Sequence, residues 1–187
     1  MAASILFQGL AARLWSPVVT TAVAHGIVPD LTGLHYRWAP GAPVGLWLAA
    51  PAGRRSADLA GAVHCTVLGR LVPLREAMRA VAGIADGLMW GNAASALAGV
   101  RRAAAVRPAL EGPLTDMVER LLALPPLAGT GELVRPFPER PERFYLRRNC
   151  CLYYRVPPGG GYCGDCVLLD PERRARQWRA AIDEPLT

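Results

Sequence analysis

Apolar positions recur at helical spacing over most of the chain and alternate in only a few short runs. Residues 3–26, "ASILFQGLAARLWSPVVTTAVAHG", read as one or two helices with a kink or fresh start near Pro17. A proline inside a helix lacks the N–H and crowds the preceding turn. "LHYRW" (34–38) and "VGLWLA" (44–49) alternate, and "APGAP" between them supplies a hairpin connection. Trp38 and Trp47 are expected to pack into the core. From 56 to 124 the pattern is mostly helical. Leu74, Met78, Val81 and Leu88 lie near helical spacing, and Leu114, Met117, Val118, Leu121 and Leu122 make a cleaner stripe. Gly112-Pro113 suits the opening of that last helix, because proline is tolerated in the first turn, and Pro125-Pro126 closes it. Between these stripes, "MWGNAASALAG" (89–99) carries small residues that allow close helix packing, and its Asn92 is expected to cap or bridge.

Beyond 124 the character changes. Residues 125–143, "PPLAGTGELVRPFPERPER", read as a linker or extended segment. "FYLRRNCCLYYRV" (144–156) is strand-like, and "DPERRARQWRAAIDE" (170–184) is a helix with Asp170 as N-cap and Pro171 at its first position. The expected class is α+β. A predominantly helical body, 1–124, carries a β-hairpin at about 34–49. The linker 125–143 then leads to a small C-terminal cysteine-bearing module, 144–187.

Composition narrows the picture. With 187 residues, 52% of them hydrophobic, the chain can build a core without disulfide support. Its basic residues are all arginine and its net charge is +6, which speaks to partners rather than to fold. No basic run interleaves with aromatics and no zinc-finger or helix-turn-helix spacing is present, so nucleic acid is not an expected partner. Ala22-Val23-Ala24 imitates a leader cleavage site, but the early segment lacks basic residues and Arg13 interrupts its apolar run. The run after Arg13 is shorter than the ~20 residues of a membrane span. A buried first helix, no transmembrane segment and a cytoplasmic location are the expectations. In a reducing compartment, clustered cysteines point to metal or redox chemistry.

Four of the five cysteines lie in "NCCLYYRVPPGGGYCGDC" (149–166). Gathering four thiolates without a cation is electrostatically costly. "PPGGG" (157–161) can reverse the chain and bring Cys163 and Cys166 beside Cys150 and Cys151. Neighbours in a strand point to opposite faces, so the vicinal pair suits a wider binuclear target better than one tetrahedral ion, unless the backbone bends. Soft thiolates select zinc or an iron–sulfur cluster. Only one half resembles the Cys-x-x-Cys knuckle of structural zinc sites, and ferredoxin spacing is absent. Cys163-Gly-Asp-Cys166 does not open a helix directly, against a thioredoxin-like role. "GGGYCG" (159–164) does not sit between a strand and an opening helix, against a dinucleotide loop. Elsewhere, Cys65 is expected to be buried and inert. His25, His35 and His64 are not expected to bind metal or substrate.

The arrangement Cys-Cys, a spacer of about ten, then Cys-x-x-Cys resembles the FhuF-like ferric-siderophore reductases. "LFQGLAARLWSPV" (6–18), "HGIVPDL" (25–31) and "MWGNAASAL" (89–97) look like body segments of the same family. The spacer here is eleven residues, and the chain begins inside the first helix it shares with a family whose members are commonly longer. The resemblance implies a [2Fe–2S] cluster on Cys150, Cys151, Cys163 and Cys166, and reduction of siderophore-bound Fe(III) to Fe(II). It implies no catalytic residue beyond the cluster. A one-electron centre is not suited to accept hydride, so an external flavoprotein or ferredoxin must donate electrons. Arg143, Arg147, Arg148 and Arg155 flank the cysteines with no acidic residue between them. They are expected to raise the cluster potential, or to steer an anionic ferric-siderophore or an acidic donor. The competing readings are a zinc-binding structural or interaction module, and an iron–sulfur electron-transfer protein with another substrate.

Overall fold

The structure is a computed structural model that describes residues 1–101, 107–156 and 161–183. Most of the turn expected at 157–161, and residue 184 of the expected last helix, therefore lie outside the described residues.

The helix α1 (Ala2–His25) is continuous through Pro17, against the expected kink or restart. Pro17 faces solvent while Leu14, Trp15, Val18 and Val19 on either side of it are buried, so core packing outweighs the one lost backbone bond. The buried positions Phe7, Ala11, Leu14, Val18 and Ala22 step by three or four residues and define its inward face. By length and composition α1 could cross a membrane, because Arg13 does not divide it as expected. In this fold its inward face packs against the other helices. Gly26 ends the helix in the left-handed conformation (φ 66°), and its N–H donates to the Ala22 carbonyl at 2.8 Å.

The strands β1 (Val28–Pro29), β2 (Leu34–Arg37), β3 (Gly45–Leu48) and β4 (Gly53–Arg54) follow. β1 pairs with β4, and β2 with β3 in the expected hairpin, His35 opposite Trp47. The two hairpin tryptophans do not reach the core. Trp38 is 66% and Trp47 43% exposed, and Trp47 stacks on His35 at 5.5 Å. Alternation gives the hairpin two faces, but no second layer covers the aromatic one.

The helix α2 (Leu59–Val81) opens on Asp58, whose carboxylate accepts the Gly61 N–H at 3.0 Å. It ends at Val81, which is exposed, so Leu88 belongs to α3 (Asp86–Ala98) and the stripe expected from Leu74 to Leu88 is broken. α3 is buried along most of its length, from Met89 to Ala98, as its small residues suggest. The helix α4 (Glu111–Leu122) buries the stripe Leu114, Met117, Val118 and Leu121. α1 packs on α3, α2 and α4.

The segment read as a linker carries β5 (Gly131–Val134), which pairs antiparallel with β6 (Phe144–Arg147) against α3. The final helix α5 (Pro171–Asp183) has the expected N-cap, with the Arg173 N–H donating to Asp170 Oδ1 at 2.9 Å. The class is α+β, about half helical, with three small antiparallel pairs among the described residues.

Candidate metal centre

Strand β6 stops at Arg147, three residues before Cys150, so the vicinal cysteines are not strand neighbours as expected. They lie in a loop that turns at Leu152, a non-glycine residue at φ 66°. The turn aims backbone N–H groups at sulfur. Leu152 N–H donates to Cys150 Sγ at 3.3 Å, and Tyr153 N–H to Cys151 Sγ at 3.4 Å. Cys163 to Cys166 form a second turn, closed by Cys166 N–H on the Cys163 carbonyl at 3.2 Å. Leu168 N–H donates to Cys166 Sγ at 3.4 Å. The α5 residue Trp178 holds this turn through Nε1–H on the Gly164 carbonyl (2.8 Å) and stacks on Phe144 of β6 at 5.0 Å.

The two loops meet at sulfur: Cys151 Sγ and Cys163 Sγ are 3.5 Å apart. Cys151 and Cys166 are buried, and Cys150 and Cys163 half-buried. The sulfur–sulfur contact, the Tyr153 N–H and the Arg147 charge hold the Cys151 thiol down to about 6 against burial. The same contact, together with burial, pushes Cys163 up. Among the described residues, no three His, Cys, Asp or Glu side chains gather round one point.

Of the four flanking arginines, Arg147 lies deepest. Its side chain is wholly buried. Nε donates to Asp165 Oδ2 at 2.6 Å, Nη1 to Asn92 Oδ1 at 2.9 Å and Nη2 to the Gly91 carbonyl at 3.2 Å. Burial disfavours its charge, and Asp165 outweighs that, so its pKa is raised. Asn92 in turn donates Nδ2 to the Ser4 carbonyl and Oγ, each at 2.8 Å, and Ser4 Oγ donates to the Cys151 carbonyl at 2.7 Å. A chain of polar contacts, from Asp165 through Arg147, Asn92 and Ser4 to the Cys151 carbonyl, therefore ties α1, α3 and β6 to both cysteine loops. Its tight fit shows at Gly91, where a Cβ would collide with the Asn149 side chain.

The other flanking arginines behave differently. Arg143 pairs with Glu119 of α4, while Arg148 and Arg155 are exposed, Arg155 lying 5.5 Å over the Tyr154 ring. Sequence reasoning missed Ser4 and Asp165 and left Asn92 a generic bridge. The signal for Asp165 was present, since it is the one acid in 147–168 and sits inside the Cys-x-x-Cys. Nothing local marks Ser4. Cys65 is exposed, not buried as expected, and stands apart from the other four in sequence and on α2.

Backbone N–H donors on three cysteine sulfurs, the Cys151–Cys163 contact and the buried Arg147 charge near it are features that suit an anionic metal–sulfur centre, and Cys₄ is the usual donor set of a [2Fe–2S] cluster. Residues 147–168, which include all four cysteines, match the model of the FhuF 2Fe-2S C-terminal domain. The match points to a [2Fe–2S] cluster and to an iron–sulfur protein of siderophore-iron handling. No curated protein and no solved structure matches the chain.

Proposed function

We propose that this protein reduces siderophore-bound Fe(III) to Fe(II) by one-electron transfer and so releases iron in the cytoplasm, with Cys150, Cys151, Cys163 and Cys166 as the cluster ligands. The observation that carries this reading is the domain match over 147–168, which contains all four cysteines. The Cys151–Cys163 approach at 3.5 Å supports it. When bound, the cluster supplies single electrons. The surrounding residues set how readily. Arg147 places a buried positive charge beside sulfur, and three backbone N–H groups donate to sulfur. Both favour the more negative, reduced state, while Asp165 moderates the effect. Hard oxygen donors hold Fe(III) far more tightly than Fe(II), so one electron loosens the iron. No acid, base or nucleophile is required, and Arg143, Arg148 and Arg155 are charges for tuning or steering.

The test is anaerobic. Protein prepared without oxygen should be red-brown, carry iron and acid-labile sulfide, and give a paramagnetic signal on reduction. Mixed with ferric-siderophores, the chemically reduced protein should be reoxidised while a trapping chelator reports Fe(II). Cys163→Ser should lose or alter the spectrum. Colourless protein holding stoichiometric zinc after iron–sulfur reconstitution would sink the proposal.

A further inference from the structure

The cysteine loops carry an outward face that the proposed reduction does not use. Tyr153 (37%), Tyr154 (40%), Tyr162 (43%) and Leu168 (52%) are exposed there, unusual for large side chains on a strongly basic chain. Tyr154, from the first loop, stacks on Tyr162, from the second, at 6.4 Å with 25° between the rings. Arginines flank the stack. Arg155 lies 5.5 Å over Tyr154 and donates Nε–H to its hydroxyl at 3.0 Å, and Arg173 of α5 lies 5.8 Å over Tyr162. Among the described residues, Arg155 and Arg173 form no ion pair, whereas the deeper Arg147 is neutralised by Asp165. The face is one step from sulfur. The N–H groups of Tyr153 and Leu168 bond Cys151 Sγ and Cys166 Sγ, and Tyr162 precedes Cys163.

We infer that this tyrosine–arginine face is the docking surface for the electron donor, and that the donor is a small acidic one-electron carrier protein. The inference rests on the [2Fe–2S] reading above. Tyrosine and arginine are the residues that anchor protein interfaces. Charge complementarity selects the partner: exposed cations not held in ion pairs attract an acidic surface and speed encounter. Electron-transfer complexes are small and transient, so a patch of this size suffices. The exchange balances simply. One electron leaves the carrier's reduced centre and is gained by the oxidised protein; no bond forms or breaks and no proton moves.

The experiment uses the cluster-loaded protein and a reduced, acidic plant-type ferredoxin as the probe. Stopped-flow mixing gives the second-order transfer rate as ionic strength rises. The wild-type rate should fall as salt is raised to ~0.15 M. Arg155→Gln/Arg173→Gln should lower the low-salt rate by about tenfold or more. Tyr154→Ala/Tyr162→Ala should lower it with less change in the salt dependence. Arg37→Gln, on the distant hairpin, should leave it unchanged. Dithionite, a small reductant that needs no docking face, should reduce all variants with far smaller losses than ferredoxin shows, with unaltered visible spectra. The proposal is overturned by a salt-independent or absent transfer to wild type, by equal losses with dithionite, or by an equal loss in Arg37→Gln. Single turnover of dithionite-reduced protein with a ferric-siderophore needs no donor. Failure there with normal ferredoxin transfer removes the reductase reading and leaves the docking face standing.

Discussion

At the scale of single residues, the centre is governed by one buried ion pair. Arg147 and Asp165 lie 2.6 Å apart with the guanidinium wholly buried, so removing either partner leaves a charge stranded. Arg147→Met and Asp165→Asn should each cost about 3–5 kcal/mol, read from denaturation midpoints. Their effects on potential should be opposite in sign. Losing the cation lowers the cluster potential and losing the carboxylate raises it, which redox titration of the loaded variants would show; shifts of one sign would contradict this placement of charge. The thiols add a pH effect in the metal-free protein. Cys151 is held at about 6 in the fold against an ordinary 9.0, so between those values the unfolded chain binds the extra proton. Stability therefore rises with pH across that window. Cys163 is shifted upward, so above the ordinary thiol range the unfolded chain loses a proton that the fold keeps, and stability falls again. Urea midpoints at about pH 6, 9 and 10 should be highest at the middle value, and Cys151→Ser should flatten the lower limb.

At the scale of elements, α1 and α3 form the platform on which the cysteine loops rest. Phe7 meets Trp90 edge-on at 6.4 Å between ring centres, and both are buried. Phe7→Ala should destabilise by about 3–5 kcal/mol, a cavity cost measurable by chemical denaturation. Asn92→Leu keeps the volume but strips partners from Arg147 and Ser4. An unsatisfied buried polar group costs about 1–3 kcal/mol, and the variant should also loosen the loops, read as faster loss of bound iron to a chelator. Helical stripes are legible in sequence because burial on one face repeats every three or four residues. The hairpin tryptophans were misplaced because alternation reports a strand with two faces, not whether any layer covers either face.

At the scale of the molecule, the C-terminal segment is bound into the body by buried bonds. Arg147 reaches Asn92 and Gly91, Ser4 reaches the Cys151 carbonyl, and β5 and β6 pack on α3. Body and cysteine segment should thus unfold in one transition, and the isolated 125–187 fragment should show little structure by circular dichroism. Two separate transitions would restore an independent module. Metal bound only by the folded chain should raise the unfolding midpoint of the whole molecule, not of the segment alone.

The four cysteines, their spacing and their softness as ligands were readable from the chain, because metal preference follows from donor type and donors lie close in sequence. The helices were readable because their burial is periodic. Tertiary structure alone decided that Arg147 points inward and is neutralised, and that Ser4, far away in sequence, bonds a cysteine carbonyl. Partners in a buried polar network are chosen by position in space, and no local pattern encodes a contact between residues 147 positions apart.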